Sequence, residues 1–218
     1  MNLTKKWNLL LRRIFPIILL TAMSAVIFTG CKGSKDESIN NRETTAADTS
    51  QYLSGKVNIE IQVASYGTIE ATLDADVAPI TVTNFVNLAK SGFYDGLTFH
   101  RIISGFMIQG GDPKHNGTGG SDEKIKGEFA SNGVKNSISH KRGTISMARS
   151  SYYDSASSQF FIMHADSTAL DGQYAAFGTV TSGMDVVDAI CNNVNPVDDN
   201  GMVPYEQQPV ITTIKVLD

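Results

Sequence analysis

The 218-residue chain carries 18 Lys and Arg against 22 Asp and Glu, a net charge of −4. Its first 30 residues hold four of the basic side chains and none of the acidic ones, so the remainder stands at −8. A domain this acidic does not track phosphate backbones, and no nucleic-acid partner is expected.

The N-terminus reads as an address. Lys5, Lys6, Arg12 and Arg13 precede a mostly apolar, uncharged stretch from Ile14 to Phe28. That stretch is shorter than the roughly 20 apolar residues a membrane-crossing helix needs. It fits the apolar region of an export signal. Phe28-Thr29-Gly30-Cys31 then looks like a bacterial lipobox, although Phe28 is bulkier than the usual Leu. The expectation is a signal peptide over residues 1–30 and an exported lipoprotein. It would be held on the outer face of a bacterial membrane by a lipidated (palmitate-bearing) Cys31. Cys191 then lacks an intramolecular disulfide partner and reads as a small buried hydrophobe. Residues 31–55 are polar and aperiodic, which predicts a flexible tether.

Order is expected from residue 56 to residue 218. Val57, Ile59, Ile61 and Val63 alternate with polar neighbours, the period of a half-buried strand. Ile69, Ala71 and Leu73 repeat it after a turn at Tyr66-Gly67. Ala78-Pro79 opens a helix, with Pro in the first turn, an apolar face at Phe85, Val86, Leu88 and Ala89, and Gly92 at its end. Short apolar runs follow at Phe99–Ile103, Phe106–Gln109, Thr144–Ala148, Phe160–Met163 and Ala175–Val180. A second helix is predicted from Met184 to about Asn193, and a last strand over Ile211–Leu217. Many short strands with two helices predict an all-β barrel or sandwich.

Phe99-His100-Arg101-Ile102-Ile103 and Gly105-Phe106-Met107-Ile108-Gln109-Gly110-Gly111-Asp112 are followed by Gly117-Thr118-Gly119-Gly120 and Gly143-Thr144-Ile145-Ser146-Met147-Ala148. Ser158-Gln159-Phe160-Phe161-Ile162 and Leu170-Asp171-Gly172 complete the series, which ends at Phe177-Gly178. In this order and spacing the motifs resemble the cyclophilins, a family of peptidyl-prolyl cis-trans isomerases (rotamases), over about residues 56–218. The resemblance implies a closed eight-stranded antiparallel β-barrel capped by two α-helices. It also implies a monomer that acts on X-Pro-containing polypeptides without cofactor or metal. Arg101, Phe106 and Gln109 match the family's catalytic set. Met107, Phe161, Leu170 and Tyr174 match the proline pocket, and Met147, Ala148 and Gln159 the neighbouring groove. Phe99 and Phe177 are expected in the barrel core and pocket floor.

Four positions depart from the pattern. Ser104 stands where many members have Pro, with little effect expected. Arg149 follows Met147-Ala148 where animal members have Asn, which should alter groove polarity. Tyr174 replaces a His but keeps an aromatic face and a hydroxyl. Ala169 replaces a Trp that contacts cyclosporin in many eukaryotic members, so weak cyclosporin binding with retained catalysis is expected.

Other chemistries fit less well. His100, His115, His140 and His164 lack close metal-ligand spacing. No GxSxG elbow supports a serine hydrolase, and the glycines from 110 to 120 lack a phosphate-binding GxxxxGK[ST]. A solute-receptor lipoprotein would need a longer folded region. The competing reading is a non-catalytic module that holds proline peptides or acts as a chaperone, and the complete catalytic set favours the enzyme. The biological expectation is assistance to the folding of exported proteins.

Overall fold

The computed structural model describes residues 51–217. The predicted export signal, Cys31 and the tether as far as residue 50 lie outside the described residues. Leu53 and Gly55, read as the end of the tether, are tied to the domain. The Leu53 N–H donates to Thr83 Oγ1 at 2.8 Å and the Gly55 N–H to Asp76 Oδ1 at 2.7 Å.

The chain begins with an antiparallel hairpin of β1 (Lys56–Val63) and β2 (Gly67–Asp74). Alternation works as anticipated: Ile59, Ile61 and Val63 are buried, as are Ile69, Ala71 and Leu73. Helix α1 (Pro79–Lys90) follows and buries Val82, Phe85, Val86 and Ala89. The Glu128 carboxylate accepts the N–H groups of Ile80 and Thr81, at 3.1 and 2.8 Å, which would otherwise lack intrahelical partners. At the other end Gly92 takes φ +72°, so that its N–H reaches Ala89 O and the Phe93 N–H reaches Leu88 O, each at 3.0 Å. That is the paired ending a left-handed residue permits.

The remaining strands are β3 (Phe99–Ile103), β4 (Met107–Gly110), β5 (Thr144–Met147), β6 (Phe160–Met163), β7 (Ala176–Ser182) and β8 (Ile211–Leu217), with α2 (Met184–Asn193) between β7 and β8. All eight strands pair antiparallel in one sheet of order β3-β4-β6-β5-β7-β2-β1-β8. Three short 3-10 turns, Ala130–Asn132, Thr168–Leu170 and Tyr205–Gln207, carry no periodicity that a sequence reading could use.

The barrel anticipated as closed is an open half-barrel. Its edge strands β3 and β8 share no ladder; an isolated bridge joins Thr98 to Val210 just outside both. The reason lies between α2 and β8. Residues 201–203 occupy the outer edge of β3: the Ile102 N–H donates to Gly201 O at 2.8 Å, and the Val203 N–H to His100 O at 3.0 Å. Those bonds satisfy groups that closure would have used, and they cover an edge otherwise open to pairing with another chain.

The concave side holds the main core. Phe85 packs against Tyr94, Phe160 and Phe177 with ring centroids 5.0–5.3 Å apart. Each such side chain contributes about 1.5–3 kcal/mol by leaving water. Phe99 and Phe177 both belong to this core.

Candidate active site

Register across four strands builds the site. Ile102, Ile108, Ile162 and Ile145 lie in one cross-strand row, and all are buried on the core side. The adjoining row is Arg101, Gln109, Phe161 and Ser146, facing the other way. A third row, Ile103, Met107 and Met163, lies beside it. Arg101 joins this face because β3 is irregular: the register shifts between Phe99 and Arg101. Strict alternation from Phe99 would turn residue 101 into the core; the extra residue of a bulge re-aims it outward.

The outer rows form a second apolar cluster, separate from the core. Met107, Phe161 and Met163 are buried in it, with Ile103, Phe106, Ala148, Leu170 and Tyr174 packed around them. Phe106 lies in the turn before β4, and Leu170 in the 3-10 turn Thr168–Leu170 rather than on a strand. Phe161 meets Tyr174 edge-on at 5.9 Å. Met147 departs from the groove expected of it. It points into the main core, since it pairs with Phe160 on the concave face, and only its neighbour Ala148 borders the site. The N–H groups of both are engaged, Met147 to Ala175 O at 3.0 Å and Ala148 to Gln159 O at 2.9 Å.

Polar groups line one rim of this cluster in series. Arg101 Nη1 donates to Gln109 Oε1 at 3.3 Å and lies 3.7 Å from Met107 Sδ. Gln109 Nε2 donates to Gln159 Oε1 at 2.9 Å. Gln159 Nε2 in turn donates to the carbonyls of Gly117 and Gly119, at 3.1 and 2.7 Å. The loop bearing those carbonyls is wound around Asp112, whose carboxylate accepts the N–H groups of Lys114, Asn116 and Gly117. Burial pushes the Asp112 carboxyl up, but these backbone donors outweigh it and hold it below its usual range. Each amide is thus oriented by the next, and the Arg101 guanidinium stands at the end. Burial pulls Arg101 below its ordinary pKa, while the Tyr174 hydroxyl and the Asp198 carboxylate oppose that shift. An arginine stays charged under such pressure.

Behind Phe161 lies a support that sequence reasoning missed. The fully buried His140 ring stacks on Phe161 with 19° between planes and 6.0 Å between centroids. Its Nδ1 lies 2.9 Å from Asp171 Oδ1, and its Nε2 3.0 Å from Ser146 Oγ. This is a Ser-His-Asp alignment, but Ser146 is fully buried and offers no nucleophile to solvent. Burial holds His140 below its usual pKa despite Asp171. The period-two pattern of β6 could have placed Met163 beside Phe161; nothing local to His140 or Asp171 announces their pairing across 31 residues.

Arg149 is also committed. Its guanidinium sits 4.7 Å from the Tyr174 ring and 5.1 and 5.2 Å from Phe129 and Tyr153, while Nε and Nη2 donate to Gln173 O. The charge expected in the groove is spent on fixing Tyr174. Ala169 is exposed on the Thr168–Leu170 turn, and Ser104 lies in the turn before Phe106. The histidines are dispersed: His115 bonds Thr98, His164 bonds Asp188 and His100 is buried on β3.

The site is an apolar cluster with an oriented guanidinium on its rim, carried on the outer face of an antiparallel half-barrel. Comparison with known proteins identifies the family. The family model described as cyclophilin type peptidyl-prolyl cis-trans isomerase/CLD matches residues 57–216. Peptidyl-prolyl cis-trans isomerase A of Dickeya dadantii is 46% identical over 166 residues, covering 70% of this chain and 81% of that protein. Peptidyl-prolyl cis-trans isomerase B of Bacillus subtilis is 46% identical over 124 residues, 57% of this chain and 83% of that protein. Among solved structures, a cyclophilin type isomerase of Cryptosporidium parvum, crystallised in the presence of the dipeptide Ala-Pro, superposes with a TM-score of 0.65. It is 28% identical, and the match covers 74% of this chain and 99% of that one. The chain belongs to the cyclophilin-type peptidyl-prolyl cis-trans isomerases and is an enzyme of that activity.

Proposed function

We propose that the Arg101 guanidinium catalyses rotation about X-Pro bonds of polypeptides whose proline ring sits in the pocket of Phe106, Met107, Phe161 and Leu170. The carrying observation is the Arg101–Gln109–Gln159 series along the rim of an apolar cluster that plays no part in the core. The Ala-Pro dipeptide present in the crystals of the Cryptosporidium isomerase supports proline-containing substrates.

The barrier to rotation is about 18–20 kcal/mol, because amide resonance must break. No bond is made or cut, so the chemistry asks for grip and charge. The pocket grips the ring. In the twisted amide the prolyl nitrogen regains its lone pair. A cation there favours the twisted state over either planar one, which is catalysis by differential binding. Arg101 Nε and Nη1 are engaged within the protein, and Nη2 makes no hydrogen bond among the described residues. Nη2 is therefore the donor assigned to substrate. Gln109 steadies the guanidinium and the flanking backbone; Ala148 and Gln159 border the groove, and Tyr174 walls the pocket. The test is cis-to-trans exchange of a short Ala-Pro peptide followed with the purified chain. Acceleration supports the assignment, and a folded protein without effect on several such peptides sinks it.

The setting proposed is outside the cytoplasm, with the enzyme as a lipoprotein assisting exported proteins to fold. The support is Phe28-Thr29-Gly30-Cys31 after an apolar, positively flanked segment. Metabolic labelling with palmitate should mark the wild type and spare Cys31→Ala; equal labelling of both would remove the anchor. The exposed Ala169 in place of a Trp supports weak cyclosporin binding. Inhibition at nanomolar cyclosporin would overturn that.

A further inference from the structure

The segment that leaves the half-barrel open also touches Arg101. Residues Val197–Met202 fold back on themselves: the Val197 N–H donates to Met202 O at 2.8 Å and the Gly201 N–H to Asp198 O at 3.0 Å. Asp198 Oδ1 accepts the Met202 N–H at 3.0 Å, closing the turn with a side chain. Met202 bridges to Arg101 itself, and the Ile102 N–H donates to Gly201 O. Gly201 has φ +81°, and a Cβ there would lie 2.6 Å from Ile102 O, so only glycine brings the turn this close to β3. At its tip the Asn200 carbonyl accepts the Arg101 Nε–H at 2.7 Å.

We propose that the Asp198–Gly201 turn is a positioning element for catalysis, which fixes the plane of the Arg101 guanidinium by holding Nε from the side opposite Gln109. The proposal rests on the isomerase role of Arg101. A guanidinium held through Nη1 alone swings about that one contact; held through Nε as well, its fork has a single orientation and Nη2 a single direction. A backbone carbonyl in a turn pinned to the strand by two main-chain bonds suits this task, because it cannot rotate away as a side chain can. The Asp198 carboxylate near the same group helps keep it charged against burial. Preorganisation of this kind lowers the barrier without tightening ground-state binding. A segment that only covered the β3 edge would affect stability and leave turnover alone.

The test uses the full-length chain, with wild type, Gly201→Val, Asp198→Ala and, as a control, Gly55→Val. Gly55 has a similar φ of +77° but nothing within 4 Å of an added Cβ. The readouts are isomerisation of an Ala-Pro peptide, separated into kcat and KM, and the 15N signal of the Arg101 side-chain Nε–H with its exchange against water. In Gly201→Val, kcat should fall roughly tenfold with KM changed less than about twofold, and the Nε–H signal should move and exchange faster. Gly55→Val should leave both readouts as in wild type. If Gly201→Val fails to fold, Asp198→Ala, which removes the acceptor of the Met202 N–H together with the carboxylate charge near Arg101, should show both changes in smaller measure. A lost Nε–H contact with kcat unchanged overturns the proposal, as does an Nε–H signal indifferent to both substitutions. A wild type inactive on every peptide would remove the isomerase role of Arg101, and the Nε–H signal would still report whether the turn holds the guanidinium.

Discussion

The two faces of β3, β4, β6 and β5 are both apolar, yet one is sealed and the other works. Phe160 and Phe161 are neighbours with identical side chains. Phe160 packs edge-on to Phe85 in the main core, whereas Phe161 lies in the separate cluster with Met107 and Met163. Composition does not distinguish them; the difference is what surrounds each. The core face is covered by α1 and by other strands, so its residues only fill space. The outer face is covered by Phe106, Leu170 and Tyr174, themselves only half-buried, and is bordered by Arg101 and Gln109. An apolar cluster that keeps a charged, oriented rim becomes a binding site.

The sharpest probe of that contrast is the adjacent pair. Phe160→Ala should destabilise the fold by about 3–5 kcal/mol through a core cavity, while Phe161→Ala should cost less stability and most of the turnover. Denaturant titration beside peptide isomerisation separates the two, and equal effects on both measures would break the comparison.

A second prediction concerns acid, and belongs to the strand that joins the faces. His100 is fully buried on β3, and neither ring nitrogen has a hydrogen-bond partner among the described residues. Burial pushes its pKa down to about 4, against a weaker upward pull from Asp112. The folded protein then refuses a proton that the unfolded chain accepts below about pH 6.5. Stability should be complete above about pH 6.5 and fall as the pH drops towards 4, by up to about 3 kcal/mol from this residue. His140 is shifted in the same direction by burial. Unfolding free energies measured from pH 8 to 4 check this; a His100→Gln variant with an unchanged slope would sink the attribution to His100.

Arg101→Ala should lower kcat/KM about a hundredfold and leave the melting temperature near that of wild type, since the side chain fills no core. Loss of folding with loss of activity would mean the rim is structural after all. The smallest expected effect is at Gln159, two steps from the reacting bond. Gln159→Ala removes hydrogen bonds worth about 1 kcal/mol net, so turnover should drop by about fivefold. No change would show that Gln109 holds its orientation unaided.

Much of this architecture is legible in the sequence. Period-two alternation in Val57–Val63 and Ile69–Leu73 marks β1 and β2, because a half-buried strand must alternate. Pro79 and Gly92 mark the ends of α1 through backbone constraints that few other residues meet. The resemblance carries the site residues, but the sequence does not reveal why Arg101 and Gln109 share a face. That needs the shift between Phe99 and Arg101, which is a pairing irregularity and leaves no mark in a single strand.

The sequence by itself determined which segments are strands and helices, since those follow from local alternation and from proline and glycine geometry. It also supplied the side chains a prolyl pocket needs. Only the tertiary structure decided which side of each strand became core. Met147 went inward because its partner is Phe160, and Phe161 went outward opposite Ser146. Only the tertiary structure brought His140 to Asp171 and the Asn200 carbonyl to Arg101, 99 residues away. Contacts at such separation depend on strand register and on how a turn seats against an edge, and no local pattern encodes either.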